Sequence, residues 1–554
     1  MWQIFKKPSR LVEDKPAMCT RCHSCALLLK KGNAMDRGRH SRFFVAAKRG
    51  GFRLVWFILL FTAVGIVFIS SLLLLDRRVP LCYVRVHVGV MVLPAAVALA
   101  GLVFANHHVT VGLWRSDMLG WFMALFILAL GWMIERFCLR YLYGDRVYRK
   151  YFTLLTFTVG IAALTWLSDD IRLLILFWEL PLLGLTKLTR LKKEWRPARM
   201  AAARMASAFS LSWLALFIAG LWLWNATGHW RLSFALSTES IRHLEWWEKT
   251  GMSMLLVLAA IVPAGQWPFQ RWLLESAVTP TPVSAVMHAG LVNAGGLLLT
   301  RFAPLLNGDV SQMLLAVFAS ISVLVGTGIS FVQVDYKRQL VASTMAQMGL
   351  MFIQCALGAY VAAVIHLVLH GMFKATLFLQ SGSVVPRPNQ TIRLSQSLSR
   401  TWRFTGVVVG FVAGGIILLM SPEENAKWLS SLILGWTLAF AWERLAVFKD
   451  GRIIVLFGLV GAVFVSGTVH GGLMMLLHKA VPLSSNTSVA AEAIAVLMLA
   501  AGGLASIWLS AHRSSELFAR LYMQLVHMGE PRLESMESHP RYLDDYLQKE
   551  VVNR

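Results

Sequence analysis

Apolar runs long enough to cross a bilayer recur along most of this 554-residue chain, and that repetition restricts what it can fold into. In hydrocarbon there is no water for backbone N–H and C=O groups, so a spanning segment must satisfy them within the protein. Runs of about twenty apolar residues do so as helices. About fifteen candidate spans begin near Leu54, Val79, Asp117, Tyr151, Ile171, Ala206, Gly251, Pro282, Gln312, Gln339, Gly358, Trp402, Trp428, Ile453 and Val489. The expected fold class is an all-α polytopic membrane protein with about 14–15 transmembrane helices. The composition agrees: 57% hydrophobic residues, 15% charged and a mean hydropathy of +0.60. The formal charge of +24 would suggest nucleic acid in a soluble protein. Here Lys and Arg are read as holding loops on the cytoplasmic side, so the expected partner is membrane lipid and not nucleic acid.

The loops alternate in charge. Segments 136–150, 187–204, 337–338, 387–403, 444–452 and 513–541 are basic, while 238–249, with Glu239, Glu245 and Glu248, and 422–424 are acidic. The alternation puts the C-terminus in the cytoplasm of a cell whose inner membrane the chain crosses many times. The expected organisation is a basic polar leader over 1–53, a transmembrane domain over 54–511 and a polar cytoplasmic tail over 512–554. The leader does not fit the alternation. An odd number of spans ending inside puts residue 1 outside, yet the leader's Lys and Arg favour the inside. A peripheral first span, an extra crossing and a later start at Met35 or Met91 all stay open. Within the leader, Cys19, Cys22 and Cys25 with His23 have the spacing of half a zinc or iron–sulfur site, and no second cluster follows. Cys82, Cys138 and Cys355 sit singly in or near apolar spans, where packing accounts for them.

Against the apolar background, a few polar and helix-breaking residues carry the chemistry. Pro268, Pro280 and Pro282 interrupt a membrane-apolar region that also holds His288. Proline removes a backbone donor, and broken backbone survives at membrane depth only inside protein or beside a wet cavity. Glu179 lies mid-span by hydropathy and reads as a proton or cation relay or as a structural pair. His366, His370 and Lys374 recur every four residues, on one face of one helix. Imidazole titrates near neutrality, so such a row can pass protons. The same spacing could bind a metal or build a structural polar network, though no zinc-protease pattern accompanies it.

Several of these residues fall in longer motifs: Gln266-x-Pro268-Phe269-x-x-Trp272, Thr281-Pro282-Val283-Ser284 with His288, Gln333-x-Asp335-x-Lys337-Arg338, Ser343-Thr344-Met345-x-Gln347-Met348-Gly349, and His366-x-x-x-His370-x-x-x-Lys374. Together they resemble the antiporter-like membrane subunits of respiratory complex I and of Mrp antiporters, over about half of the chain. That resemblance implies two inverted five-helix repeats, about 151–302 and 312–448, each with a broken helix. It also implies an ion relay of Glu179, Arg204, His288, His366, His370 and Lys374, a broken helix marked by Pro268, Pro280 and Pro282, and a cytoplasmic motif at Asp335 and Lys337.

Departures narrow the resemblance. Pro263 stands where the complex I subunits carry a Lys. No Lys matches the second broken helix after Trp402, and no long lateral helix follows. The run 287–304 is similar instead to the DabB membrane subunits of DAB-type inorganic-carbon transporters. That likeness implies a subunit conducting cations, H+ or Na+, to energise CO2 hydration by a DabA-like soluble zinc subunit on the cytoplasmic face. It implies no catalytic residue, metal or cofactor in this chain, with zinc in the partner. A proton-translocating subunit of a complex I-like NADH-quinone oxidoreductase, a subunit of a multi-protein cation/proton antiporter and a purely assembly role remain alternatives.

Overall fold

The computed structural model describes residues 54–105, 109–306, 310–384, 400–420, 452–477 and 488–530, with isolated positions between 428 and 442 and at 481. The leader with Cys19, Cys22 and Cys25, the basic segment 387–399 and most of 421–451 lie outside the described residues. So do all of 531–554 and much of the second expected repeat. The segments Met1–Ile58 and Leu59–Arg554 are separate compact units. Leu54–Ile58 of the first unit open the first described helix, and the remaining elements belong to the second.

The chain is helical in the order expected from its apolar runs. In chain order the principal helices are α1 (Leu54–Leu73), α2 (Tyr83–Phe104), α3 (Met118–Tyr141), α4 (Tyr148–Thr165), α5 (Ile171–Thr189), α6 (Arg196–Thr227), α7 (Trp246–Ile261) and α8 (Gln270–Glu275). They continue with α9 (Thr281–Arg301), α10 (Val310–Val332), α11 (Tyr336–Ala356), α12 (Tyr360–Leu379), α13 (Arg400–Met420), α14 (Arg452–Leu477), α15 (Val489–Ala511) and α16 (Glu516–Gly529). Among the described residues, eight helices are long and apolar enough to cross a bilayer: α1, α2, α3, α6, α9, α10, α12 and the stretch Val489–Leu509 of α15. Of the other helices at expected spans, α4, α5, α7 and α11 are shorter or more polar.

Local sequence sets the helix ends. Asp117, Asp170 and Asp335 cap α3, α5 and α11 by accepting backbone N–H groups of the first turn, the usual use of a short acidic side chain there. Glu245 and Glu248 form a reciprocal capping box at α7. One boundary differs from expectation. Hydropathy put the start of the sixth span near Ala206, just past the basic segment 187–204, but α6 begins ten residues earlier, at Arg196. Pro197 fits its first turn, and the Ala-rich run 198–203 favours helix despite its arginines. The 32 residues of α6 extend to roughly 48 Å at about 1.5 Å per residue, so its basic start projects beyond a ~30 Å hydrocarbon layer.

Packing is centred on α9. Within its most apolar 18-residue window 94% is buried, against 39% for α10 and 11% for the α15 stretch. The helices around it expose large apolar side chains such as Phe331, Val103 and Phe373, the surface a lipid-facing protein presents. The tail is partly structured: α16 packs against α10, with Leu525 at Gly328 and Gly529 at Gln333.

The ends of the bundle have distinct chemistry. At the basic-loop end Lys192 pairs with Asp145 at 3.1 Å, and Lys337 Nζ donates to the Thr279 carbonyl at 3.0 Å. At the other end, a two-stranded ribbon pairs Val109–Val111 with Trp114–Ser116. There Arg301, closing α9, donates to both oxygens of Asp117 and to the Trp166 carbonyl. Arg115 adds a contact to Asp117 at 3.1 Å. Burial alone would raise the Asp117 carboxyl, but the Arg301 and Arg115 guanidiniums outweigh it and hold the group below its ordinary value. This latch ties α9 to the start of α3 and the end of α4. Replacing Arg301 with Gln leaves the buried Asp117 with Arg115 alone, and should destabilise the detergent-solubilised protein by roughly 3 kcal/mol. Thermal unfolding measures this, and an unchanged midpoint would show that the latch carries no stability.

Candidate functional site

The candidate site begins with two breaks in regular backbone. After α7 the chain leaves the helix at 262–269, with Gly265 at φ +58°, a conformation only glycine adopts readily. The Trp267–Pro268 peptide bond is cis. The freed backbone groups find partners in the motif residues themselves. Trp272 Nε1 donates to the Val262 carbonyl at 2.8 Å. Gln266 Nε2 donates to Ala264 and Met345 carbonyls at 3.1 and 3.2 Å, and Ser322 Oγ accepts from Trp267 N at 2.9 Å. Thus Gln266 and Trp272 keep a broken chain satisfied at membrane depth.

The second break lies within α9. Pro280 caps the helix, Pro282 occupies its first turn, and a π-helical turn follows at Met287–Leu291. Such turns leave irregular carbonyls; here Asn293 Nδ2 donates to the His288 carbonyl at 2.9 Å. His288 sits on this turn, fully buried, with its ring stacked on Phe378 at 4.7 Å.

Opposite the π turn runs α12. A Cβ at Gly371 would meet the Ala289 carbonyl oxygen at 2.1 Å, so only glycine permits this approach. It brings the row on α12 beside His288. Lys374, 1% exposed, donates to the Leu340 carbonyl and to Ser343 Oγ, both at 2.9 Å. His370 is buried, and His366 sits edge-on to it at 6.0 Å. The His366 ring nitrogens contact Gln354 Oε1 at 3.1 Å and Gln347 Oε1 at 3.2 Å. His288 meets α12 through the Gly371–Ala289 approach and its stack on Phe378, one turn beyond Lys374. His288, His366, His370 and Lys374 therefore form one polar axis along α9, α11 and α12.

The axis is incompletely satisfied. Both ring nitrogens of His288, His370 Nε2 and Asn293 Oδ1 are buried without a hydrogen-bond partner. Buried polar atoms are nearly always paired with protein or water, so this cluster has room in its bonding for water or a moving proton. Gln347, Gln354, Ser343 and Asn293 belong to the axis and were not singled out as site residues. The motif containing Ser343 and Gln347 was the available signal.

The other expected relay residues lie apart. Glu179 is half-buried on α5, beside Pro181 in the same helix, and its Oε2 is buried without a hydrogen bond. Its helix packs against the π turn. Arg204 on α6 forms a close ion pair with Glu275 at the end of α8. Glu275 was not anticipated, because its partner is 71 residues away in sequence. Asp335 caps α11 through the Lys337 and Arg338 N–H groups, and the Lys337 ammonium reaches across to Thr279, just before Pro280. Among the described residues no three His, Cys, Asp or Glu side chains converge to hold a metal.

Residues 168–454 match the family model described as NADH:quinone oxidoreductase/Mrp antiporter, transmembrane. The chain is 50% identical over 499 residues to a protein of Bacillus subtilis described as probable inorganic carbon transporter subunit DabB, covering 89% of this chain and 98% of that relative. A protein of Bacillus anthracis with the same description is 47% identical, over 89% and 97%. Among solved structures, the Mrp complex from Dietzia superposes with a TM-score of 0.58 at 20% identity. It covers 89% of this chain, which spans 62% of that one. An archaeal membrane-bound sulfane sulfur reductase gives 0.57 at 17% identity, over 80% and 99%. At these identities the two structures bear on the fold alone.

The Gly371 contact can be tested directly. Gly371→Ala forces α12 away from the π turn, which should cost about 1–3 kcal/mol as overpacking does. A thermal unfolding midpoint equal to wild type would mean that the two helices do not depend on this approach.

Proposed function

Because the chain belongs to the NADH:quinone oxidoreductase/Mrp antiporter membrane-subunit family, and within it to the DabB inorganic-carbon transporter subunits, we propose that it is the cation-conducting membrane subunit of an inorganic-carbon accumulation complex. The identity across nearly the whole length of a DabB relative carries this reading. The buried axis of His288, His366, His370 and Lys374, with imidazole nitrogens left unpaired, supplies the means of conduction.

In this reading protons or sodium ions run inward, with Glu179 loading the path beside the π turn and the α12 row continuing it. One charge moving through about 100 mV releases ~2.3 kcal/mol. At about 1.4 kcal/mol per decade that shifts an equilibrium roughly fortyfold. This is enough to make CO2 hydration by a soluble zinc partner effectively one-way and to accumulate bicarbonate. The partner carries out the hydration; this chain supplies the driving force. The partner docks on the cytoplasmic face near the basic loops 187–204 and 387–403, most of the second lying outside the described residues. The C-terminus lies on the same side.

Expression with and without the DabA-like partner in a host lacking carbonic anhydrase tests the proposal by growth in air. Growth should need both proteins and should collapse with an uncoupler. Glu179→Gln keeps volume and hydrogen bonding but cannot change charge, and Lys374→Met removes the ammonium. Each should reduce uptake to the level of cells lacking the subunit while the complex still assembles. Normal uptake by an assembled Glu179→Gln complex would remove Glu179 from the path. Uncoupler-sensitive uptake by Lys374→Met would move the path off α12.

A further inference from the structure

A second buried polar cluster lies on the far side of α3 from the central axis. Phe126 of α3 lies against Gly371 of α12. Glu135 follows nine residues later, roughly half a turn out of phase at 3.6 residues per turn, and faces α2 and α4. Glu135 and His87 are fully buried, Thr156 is 1% exposed and Ser70 6%. All four lie outside the 168–454 segment that matches the family model.

These residues form a continuous chain. The Tyr83 hydroxyl contacts Ser70 Oγ at 2.9 Å, and Ser70 Oγ contacts His87 Nδ1 at 3.0 Å. His87 Nε2 contacts Thr156 Oγ1 at 2.9 Å, and Thr156 Oγ1 donates to Glu135 Oε1 at 2.8 Å. Glu135 Oε2 has no hydrogen bond and faces His87 Nε2 across 3.5 Å. Tyr83 is half-buried and starts α2 next to the loop 76–82, which Arg149 braces by donating to the Leu74, Asp76 and Val79 carbonyls. The chain thus runs from the basic-loop end into the membrane layer. The titratable groups facing Glu135 are His87 and, near it on its own helix, Cys138.

We propose that His87 and Glu135 form a proton-binding site, loaded from the basic-loop end through Tyr83 and Ser70 and distinct from the central axis. The chain is satisfied in two opposite senses. With Glu135 ionised and Nε2–H on His87, hydrogens point inward: Tyr83 to Ser70, Ser70 to Nδ1, Nε2–H to Thr156, Thr156 to Glu135. A proton arriving at Tyr83 moves every hydrogen one step along. Tyr83 gives its proton to Ser70, Ser70 to Nδ1, His87 its Nε2 proton to Thr156, and Thr156 its own to Glu135. The result is a neutral Glu135 carboxyl and a His87 carrying Nδ1–H, with every hydroxyl keeping one hydrogen. A metal cation fits the site poorly. Both ring nitrogens are engaged by hydroxyls, leaving one oxygen without a hydrogen bond where hard cations take about six oxygen ligands.

Acid-minus-alkaline infrared difference spectra of the full-length protein in lipid nanodiscs test this without reference to carbon uptake, so the site stands or falls apart from the proposed function. Wild type should show a protonated-carboxyl band that Glu135→Gln removes. The pH midpoint of that band should shift by about one unit or more in His87→Gln. Tyr83→Phe with Ser70→Ala should slow its appearance after a pH jump about tenfold, some 1.4 kcal/mol in barrier. A band unchanged by Glu135→Gln, or a midpoint unmoved in His87→Gln, overturns the proposal. If Glu135→Gln fails to fold, Thr156→Val is read on the same band. Its frequency should shift because Thr156 bonds that carboxyl, and an unshifted band overturns the proposal equally.

Discussion

A backbone group in hydrocarbon must have a partner inside the protein, and the centre of this structure is organised around that demand. Its two irregular segments, the 262–269 break and the π turn of α9, would each be untenable alone. Gln266, Trp272 and Ser322 repair the first and Asn293 the second. The repairs come from α8, α10 and α9 itself, so the breaks require the surrounding helices. This is why α9 is the most enclosed of the membrane-length helices among the described residues.

Enclosure makes the ionisable groups of this region possible, and the structure treats them in two ways. Asp117 with Arg301 and Arg204 with Glu275 are paired tightly and near the ends of helices. Pairs of that kind fix geometry, since losing one partner leaves a buried charge. His288 and His370 are buried with nitrogens unbonded. Imidazole is neutral once it loses a proton, so it can wait in that condition where a guanidinium could not. Rigid pairs near helix ends and under-satisfied imidazoles at the centre are what the proposed conduction would use.

Close approach is the other requirement. Without a side chain at Gly371, the α12 backbone lies against the Ala289 carbonyl, bringing Lys374 within electrostatic range of His288. The Lys374 ammonium is held by a carbonyl and a hydroxyl, with no carboxylate bonded to it.

The order of helices, their approximate starts and the polar row on α12 were legible in the sequence, because apolar length and a four-residue spacing are local properties. So were the breaks, since proline acts on its own backbone. Hydropathy set the start of α6 too late, because its first turns mix Arg196, Arg199 and Arg204 with helix-forming alanines. What the sequence did not disclose were the partners. Arg204 meets Glu275, Arg301 meets Asp117 across 184 residues, and His87 meets Glu135 through Thr156. The π turn at His288 was equally invisible, because its extra residue is accommodated by Asn293 and by the absence of a side chain at Gly371 on another helix. A single chain reports which residues are costly to bury. Only the packed helices decide which of them share that cost and which remain free to take up a proton.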